Sequence, residues 1–274
     1  MTAVWIDGVL LDEAEARVSP FDHGLLTGDG VFETLRVTRG RPFAARRHLE
    51  RLGRSAAGLR LPCPPDAVLV AAMDEVVGAN GLVEGRLRVT VTGGASALGS
   101  DRGKGGPTVI VAGGALPAWP AATDVVVVPW PRNERGALAG LKTISYGENV
   151  VALAHAQDHG AGEAIFGNLA GNLCEGTGTN VFVGTGGRLV TPPLSAGCLA
   201  GVTRDLLLEL VDVIEEDLPL AALAGADEAF LTSSTRDVQP IHGVDGKTLP
   251  ACPGPLTTGA ASAFRALVAG DLDP

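Results

Sequence analysis

The sequence predicts an α/β protein, close to the α+β type, with two domains that contain antiparallel or mixed sheets. Segments that alternate apolar and polar residues, as half-buried strands do, are interspersed with segments of helical period. A stretch rich in Gly, Ala and Pro then interrupts the chain at 113–123. We therefore predict a small N-terminal domain over 1–112, a linker over 113–123 and a large domain over 124–274.

In the N-terminal part, the short alternating segments predict strands and one longer segment predicts an amphipathic helix. Leu49, Leu52, Ala56 and Leu59 recur at helical spacing, which indicates a helix over 44–59 that the following prolines end. A second helix is expected over 66–79. The predicted strands are 4–10 around the turn Asp7-Gly8, 31–37, 85–92 and 108–112.

The C-terminal part mixes the same two patterns. Short apolar runs rich in Val, Ile and Phe predict strands, and longer amphipathic stretches predict helices. The predicted strands are 125–129, 163–166, 180–184, 188–191 and 228–232. The predicted helices are 148–159, 202–210 and 255–268. No internal repeat is visible.

The composition excludes several classes of function. A net charge of −10 argues against nucleic acid as a partner, because phosphate backbones require a basic face. The apolar runs are strand-sized and far shorter than the roughly 20 residues of a membrane span. There is no pattern of a signal peptide, so we expect a cytoplasmic protein. The four cysteines lack CxxC spacing, which favours free thiols over disulfides or a metal site.

Three motifs in the second half carry the chemistry. Lys142 lies in Gly-Leu-Lys-Thr, and a desolvated lysine amine can attack an aldehyde to form an imine. Glu175 precedes Gly-Thr-Gly-Thr-Asn, and a carboxylate there can keep a pyridine nitrogen protonated. The segment 201–204 begins a predicted helix, whose amides, with the Thr203 hydroxyl, suit a phosphate. Together these are the requirements for binding and using pyridoxal 5'-phosphate.

Further residues complete the predicted site. Ser234 and Thr235 follow a strand and can add hydroxyl donors, and Arg46 or Arg47 can balance the phosphate charge. The other two lysines, Lys104 and Lys247, lie in Gly-rich turns. Lys142 is therefore the best candidate for an internal lysine.

These motifs resemble the class IV aminotransferases, the fold-type IV pyridoxal phosphate enzymes, along nearly the whole chain. The family includes branched-chain and D-amino-acid aminotransferases and aminodeoxychorismate lyases, and the resemblance implies their two-domain fold. The matching segments are Asp22-His23-Gly24, 28–34, 46–52, Lys142, Cys174-Glu175-Gly176, 201–204 and 232–238.

The resemblance also implies a role for each matching residue. Lys142 would be the Schiff-base lysine and proton shuttle, and Glu175 would pair with the pyridine nitrogen. Leu199 would pack on the ring, and Tyr146 would reach the cofactor's phenolic oxygen. The phosphate would be held by Arg46, Val202, Thr203, Ser234 and Thr235. The family further implies a homodimer whose partner subunit completes the active site, with the loop 94–106 near the entrance.

The substrate pocket decides the reaction. Phe32, Thr34 and Arg36 alternate along one predicted strand and so share a face. The segment 32–36 resembles aminodeoxychorismate lyases, in which Thr34 would place a hydroxyl near the reacting carbons. Arg88 and Arg102 are the candidates for binding a substrate carboxylate.

Three functions remain open at this stage. The resemblance favours a lyase of folate biosynthesis that releases pyruvate and 4-aminobenzoate from aminodeoxychorismate. The second reading is an amino-acid aminotransferase, either branched-chain or D-amino-acid. The third is a catalytically silent relative that acts as a binding or scaffold protein, although the retained Lys142 and Glu175 speak against it.

Overall fold

A computed structural model describes residues 2–116 and 118–274, so Pro117 of the predicted linker lies outside the described residues. The chain forms two compact units. The first comprises Met1–Pro117, Leu141–Tyr146 and Asp271–Pro274, and the second comprises Ala118–Gly140 and Gly147–Gly270. The domain boundaries predicted from sequence stay a prediction. The two short segments join the first unit because their backbones hydrogen-bond to it, as in Phe32 N–H to Lys142 O.

The described part of the first unit contains an antiparallel sheet of six strands in the order β2-β1-β6-β5-β3-β4. The strands are β1 Ala3–Ile6, β2 Val9–Asp12, β3 Gly30–Thr38, β4 Arg41–Pro42, β5 Gly85–Thr92 and β6 Thr108–Gly114. The helices are α1 His23–Thr27, α2 Ala45–Gly58 and α3 Asp66–Ala79.

One face of this sheet packs against α2 and α3. The apolar stripe of α2, with Leu49, Leu52 and Ala56, is buried against Val31 and Leu35 of β3. Alternation along β3 sends Phe32, Thr34 and Arg36 to the opposite face. The strand therefore separates a hydrophobic core from a second, more polar face.

The segment Leu141–Tyr146 runs beside β3 at close range. Thr143 forms an isolated antiparallel bridge with Val31, and Ile144 N–H donates to Gly30 O at 2.9 Å. A Cβ at Gly30 would lie 2.8 Å from Ile144 Cδ1 and 2.7 Å from Val91 O. A side chain at position 30 would press against β5 and against Ile144, so glycine permits this close approach.

The second unit contains a mixed sheet of nine strands in the order β12-β11-β10-β13-β14-β7-β8-β9, with β15 paired to β14. The strands are β7 Thr123–Val127, β8 Glu163–Gly167, β9 Leu173–Gly176, β10 Asn180–Thr185, β11 Arg188–Thr191, β12 Ile214–Glu215, β13 Glu228–Ser233, β14 Asp237–Val244 and β15 Lys247–Thr248. The helices are α4 Gly147–Asp158, α5 Val202–Leu210 and α6 Pro255–Gly270.

Both faces of the β7–β8 region are buried. Val125 and Ile165 join the main core of the unit, whereas Val126 and Phe166 pack with alanines of α4 on the other side. Burial on both faces explains why these strands appear in the sequence as continuous apolar runs without alternation. No helix within the described residues is both long enough and apolar enough to cross a membrane.

The predicted fold class, with antiparallel and mixed sheets, is confirmed. The sequence prediction missed α1, β9, β14 and the three strands of two residues. Strand β9 contains Cys174 and Glu175 and was interpreted only as a motif. Strand β14 contains Gln239-Pro240, where a proline weakens the strand pattern.

Candidate active site

Lys142 is fixed by its backbone in the first unit. Its carbonyl accepts the Phe32 N–H at 3.1 Å, and its own N–H donates to Ser55 Oγ at 3.0 Å. Its Nζ lies 4.4 Å from the centre of the Phe32 ring. The amine is therefore held against an aromatic face instead of extending into bulk solvent.

Two further predicted residues, Arg88 and Tyr146, contact the Phe32 ring. The guanidinium carbon of Arg88 lies 3.7 Å from the ring centre, and the Tyr146 ring meets it edge-on at 5.2 Å between centroids. Desolvation lowers the pKa of Arg88 from the usual arginine range, although much of the residue's surface stays exposed. The side chain remains cationic at neutral pH, because the arginine pKa starts above about 12.

The same face of the sheet carries the other predicted substrate residues. Thr34 lies opposite Arg88 in the β3–β5 register, and Arg36 lies opposite Arg86. Arg36 Nη2 is 3.5 Å from Glu84 Oε2, so part of its charge is neutralised. Arg86 lies two residues before Arg88 on the same strand and therefore shares its face.

A buried ionic cluster lies on the core side of β3. Glu33 is fully buried and receives two hydrogen bonds from Arg51, Nε and Nη2 each at 2.7 Å. His48 Nδ1 lies 2.7 Å from Glu33 Oε2. The cluster therefore joins α2 to the strand that bears Phe32.

We expect this cluster to make the protein acid-sensitive in two steps. Burial lowers the pKa of His48, so stability falls as the pH drops below about 6.5, where only the unfolded histidine gains a proton. Burial alone would raise the pKa of Glu33, but Arg51 and His48 lower it from 4.5 to about 2. Stability should then fall by a further ~3 kcal/mol as the pH falls from about 4.5 to 2.

Urea unfolding of the wild type and of Glu33→Gln at several pH values tests this. The variant should lose about 3–5 kcal/mol at neutral pH, because Arg51 is left without its counter-charge. It should also lack the step between about pH 4.5 and 2. An equally steep acid step in the variant would show that other carboxylates produce it.

In the second unit, Glu175 lies near the end of β9 with both carboxylate oxygens engaged. Oε2 accepts the Leu199 N–H at 2.9 Å, and Oε1 lies 3.3 Å from Arg132 Nε. The side chain is 14% exposed, so it is sheltered but accessible to a ligand. Two partners on different oxygens fix the direction of this carboxylate.

Arg132 was not predicted and is the main addition to the site. Its guanidinium lies over the Phe166 ring at 4.1 Å, and Nη1 donates to Asn149 Oδ1 at 3.0 Å. These contacts hold the cation beside Glu175 and moderate its negative charge. The only signal in the sequence was an arginine three residues after the predicted strand 125–129, in Trp-Pro-Arg.

The start of α5 presents backbone amides. Val202 and Thr203 are buried, and the N-cap residue Gly201 contributes no side-chain hydrogen bond to the helix. The loop that leads into α5 is held by Arg204, whose Nη2 donates to Pro192 O at 2.9 Å. The first amides of a helix lack intrahelical partners and attract anions.

Hydroxyl groups cluster at the turn between β13 and β14. Ser234 and Thr235 lie half-buried in this turn. Thr232 is buried, and among the described residues its Oγ1 has no hydrogen-bond partner. An unsatisfied buried hydroxyl is costly unless a ligand supplies the partner.

The role predicted for Arg46 at the phosphate stays a prediction, and the structure shows other partners for its side chain. Arg46 is exposed, and it bonds Glu50 and the Pro274 carbonyl. Arg47 also donates to Pro274 O. The buried arginine of this run is Arg51, which lies about 140° further around the helix than Arg46. Its guanidinium already pairs with the buried Glu33 carboxylate, so Arg51 serves the core side of β3.

Arg102 is likewise engaged elsewhere. Its Nε and Nη2 form a bidentate pair with Asp29 at 2.6 and 2.5 Å, and Nη1 donates to Arg60 O. The hydrogen bond to Arg102 holds the pKa of Asp29 below its usual range. Of the two arginines proposed for the substrate carboxylate, the structure favours Arg88.

The residues present fit pyridoxal 5'-phosphate. The amides of α5, the hydroxyls of the β13–β14 turn and the orphaned Thr232 Oγ1 are phosphate-type donors. The oriented carboxylate of Glu175 suits a protonated ring nitrogen, and Lys142 suits an aldehyde. These groups are of the kinds that this cofactor requires.

Comparison with known proteins agrees with these features. Residues 30–244 match the family model described as amino-transferase class IV. The chain is 34% identical to a putative branched-chain-amino-acid aminotransferase of Methanocaldococcus jannaschii, over 90% of this chain and 89% of the relative. It is 32% identical to an aminodeoxychorismate lyase of Bacillus subtilis, over 88% and 86%.

Solved structures give the same result. A branched-chain aminotransferase from T.th., crystallised with pyridoxamine 5'-phosphate, superposes with a TM-score of 0.91 at 26% identity. The match covers 98% of this chain and 94% of that one.

Proposed function

The chain belongs to the class IV amino-transferase family of pyridoxal-phosphate enzymes, and from this premise we propose that it is an amino-acid aminotransferase. It would move an amino group between an amino acid and a 2-oxo acid. The lyase reading ranked first from the sequence, but the relatives support the aminotransferase better.

One observation carries the proposal. Arg88 and Lys142 meet the same Phe32 ring, with the guanidinium carbon at 3.7 Å and the amine nitrogen at 4.4 Å from its centre. A substrate carboxylate paired with Arg88 would hold the adjacent carbon, which bears the amino group, near the lysine. Amino acids and 2-oxo acids share this arrangement of a carboxylate next to the reacting carbon.

The roles of the residues follow from their chemistry. When bound, the cofactor supplies an aldehyde and an electron-withdrawing pyridine ring. Lys142 Nζ would remove the proton from the carbon that bears the amino group and later return it at a different carbon. Glu175 would hold the proton on the ring nitrogen. Thr203, Ser234, Thr235 and the α5 amides would hold the phosphate, while Leu199 and Tyr146 would orient the ring.

A second candidate, aminodeoxychorismate lyase, rests on Thr34. Its side chain shares the face of Phe32 and lies opposite Arg88. A hydroxyl here can assist departure of pyruvate, a step that an aminotransferase does not need. The 32% identical lyase of Bacillus subtilis keeps this reading open.

Product analysis separates the two functions. As an aminotransferase, the purified enzyme should consume amino acids only when a 2-oxo acid acceptor is present, and it should form the matching amino acid. As a lyase, it should release pyruvate and 4-aminobenzoate from aminodeoxychorismate without an acceptor. Acceptor-independent release at the faster rate would reverse our ranking.

The Thr34→Ala variant provides a matched test for this assay, because only the lyase reaction is proposed to use the hydroxyl. It should leave amino transfer within about twofold, or about 0.5 kcal/mol, because the proposed amino transfer uses no hydroxyl at this half-buried position. The dimer implied by the family also remains a proposal for this chain. Sedimentation of the active enzyme measures it directly.

A further inference from the structure

The buried carboxylate of Glu163 holds the turn that follows Glu175. Glu163 lies at the start of β8 and is 1% exposed. Its Oε1 accepts the Thr177 N–H at 3.2 Å and also the Thr177 hydroxyl. Its Oε2 accepts the Thr179 hydroxyl at 3.3 Å. One carboxylate therefore fixes both threonines of the Gly-Thr-Gly-Thr turn.

Thr177 connects this anchor back to Glu175 by a second route. Its carbonyl accepts a hydrogen bond from Asn149 Nδ2, and Asn149 Oδ1 accepts one from Arg132 at 3.0 Å. Arg132 is the cation beside Glu175 Oε1. Glu175 is thus constrained twice by Glu163, through the backbone of the turn and through the side chains of Asn149 and Arg132.

Arg236 is the counter-charge of Glu163. Its Nη2 lies 3.3 Å from Glu163 Oε2, Nη1 donates to Gln239 Oε1 at 2.8 Å, and the guanidinium lies 3.9 Å from the Trp119 ring centre. Its backbone N–H donates to Ser233 Oγ at 3.1 Å. The ion pair therefore joins the turn after Glu175 to the hydroxyl-bearing turn between β13 and β14.

A buried ion pair of this kind contributes little net stability compared with apolar residues of equal volume. Its contribution is to hold the two turns that it joins in one arrangement. We infer that Glu163 is a positioning residue of the cofactor site. It sets the direction of the Glu175 carboxylate and, through Arg236, the position of the hydroxyl groups in the β13–β14 turn that are proposed to hold the phosphate. This inference rests on the proposed role of Glu175.

The test compares Glu163→Gln with a matched control. Glu228 is also a buried carboxylate of the second unit, and it accepts the Leu256 and Thr257 amides and the Thr257 hydroxyl at the start of α6. Glu228→Gln should lower the unfolding temperature of the protein without changing the visible spectrum of the bound cofactor. Glu163→Gln should in addition change the visible spectrum of bound pyridoxal 5'-phosphate and the pH midpoint of that spectrum.

We expect Glu163→Gln to weaken cofactor affinity on the order of 10-fold, a typical coupling between residues of one hydrogen-bond network. Thr177→Val, which removes one hydroxyl and keeps the backbone amide, should shift the spectrum in the same direction. If Glu163→Gln does not fold, the valine variant decides. A spectrum and pH midpoint identical to those of Glu228→Gln would overturn the inference.

Glu175→Gln, measured in parallel, separates this inference from the proposed function. If that variant leaves the spectrum unchanged, the role of Glu175 itself is wrong, and the inference falls with it. If it shifts the spectrum while Glu163→Gln and Thr177→Val do not, only the positioning role is wrong.

Discussion

Replacing Lys142 with alanine should abolish turnover while the protein remains folded. The amine is proposed both to bind the cofactor's aldehyde and to move the substrate proton, and a positioned proton-transfer group alone contributes about 10²–10⁴-fold. The folding cost should be small, because the backbone N–H and C=O of residue 142 keep their bonds to Ser55 and Phe32. Steady-state rates and circular dichroism measure the two effects.

Lys104→Ala and Lys247→Ala are the natural controls, since these are the other lysines of the chain. Borohydride reduction should attach the cofactor to the wild type and to both controls, but not to Lys142→Ala. Mass spectrometry of the digested protein then identifies the modified peptide. Turnover at the wild-type rate in Lys142→Ala would contradict the proposed reaction as a whole.

Lys142 and Glu175 could be proposed from the sequence because their chemistry depends on residue type and on position next to a strand or turn. Their roles stay predictions. Helix α2 was also predicted, since Leu49, Leu52 and Ala56 mark its buried stripe. Arg46 lies in the same helix, and its role at the phosphate stays a prediction. The sequence could not show that Arg46 is exposed whereas Arg51 is buried, because an arginine carries no apolar signal of the side of the helix on which it lies.

Arg132, Glu163 and Arg236 could not be predicted for a different reason. Each is a charged residue in or near a loop, where the expected role is a solvated surface position. Their importance comes from pairing with Glu175 or with each other across strands that are far apart in sequence. Such long-range ion pairs become visible only when the sheet order is known.

Glu175→Gln should retain the cofactor but lose activity on the order of 10²-fold or more, as when one key electrostatic group is removed. The amide cannot attract a proton to the ring nitrogen. It also leaves the positive charge of Arg132, now 3.3 Å from a neutral group, to repel that proton. The visible spectrum of the bound cofactor should therefore change together with the rate.

Glu148→Gln is the matched control for this effect. Glu148 Oε2 lies 3.4 Å from Nη1 of the same arginine, but its side chain is 78% exposed. Removing that charge should leave the spectrum and the rate close to those of the wild type, because exposed ion pairs contribute little. If both variants lose the same activity and show the same spectrum, the loss comes from removing any carboxylate beside Arg132. The ring nitrogen would then have no special dependence on Glu175. A large loss confined to Glu175→Gln would show that the carboxylate acts by its position beside Arg132 and Leu199.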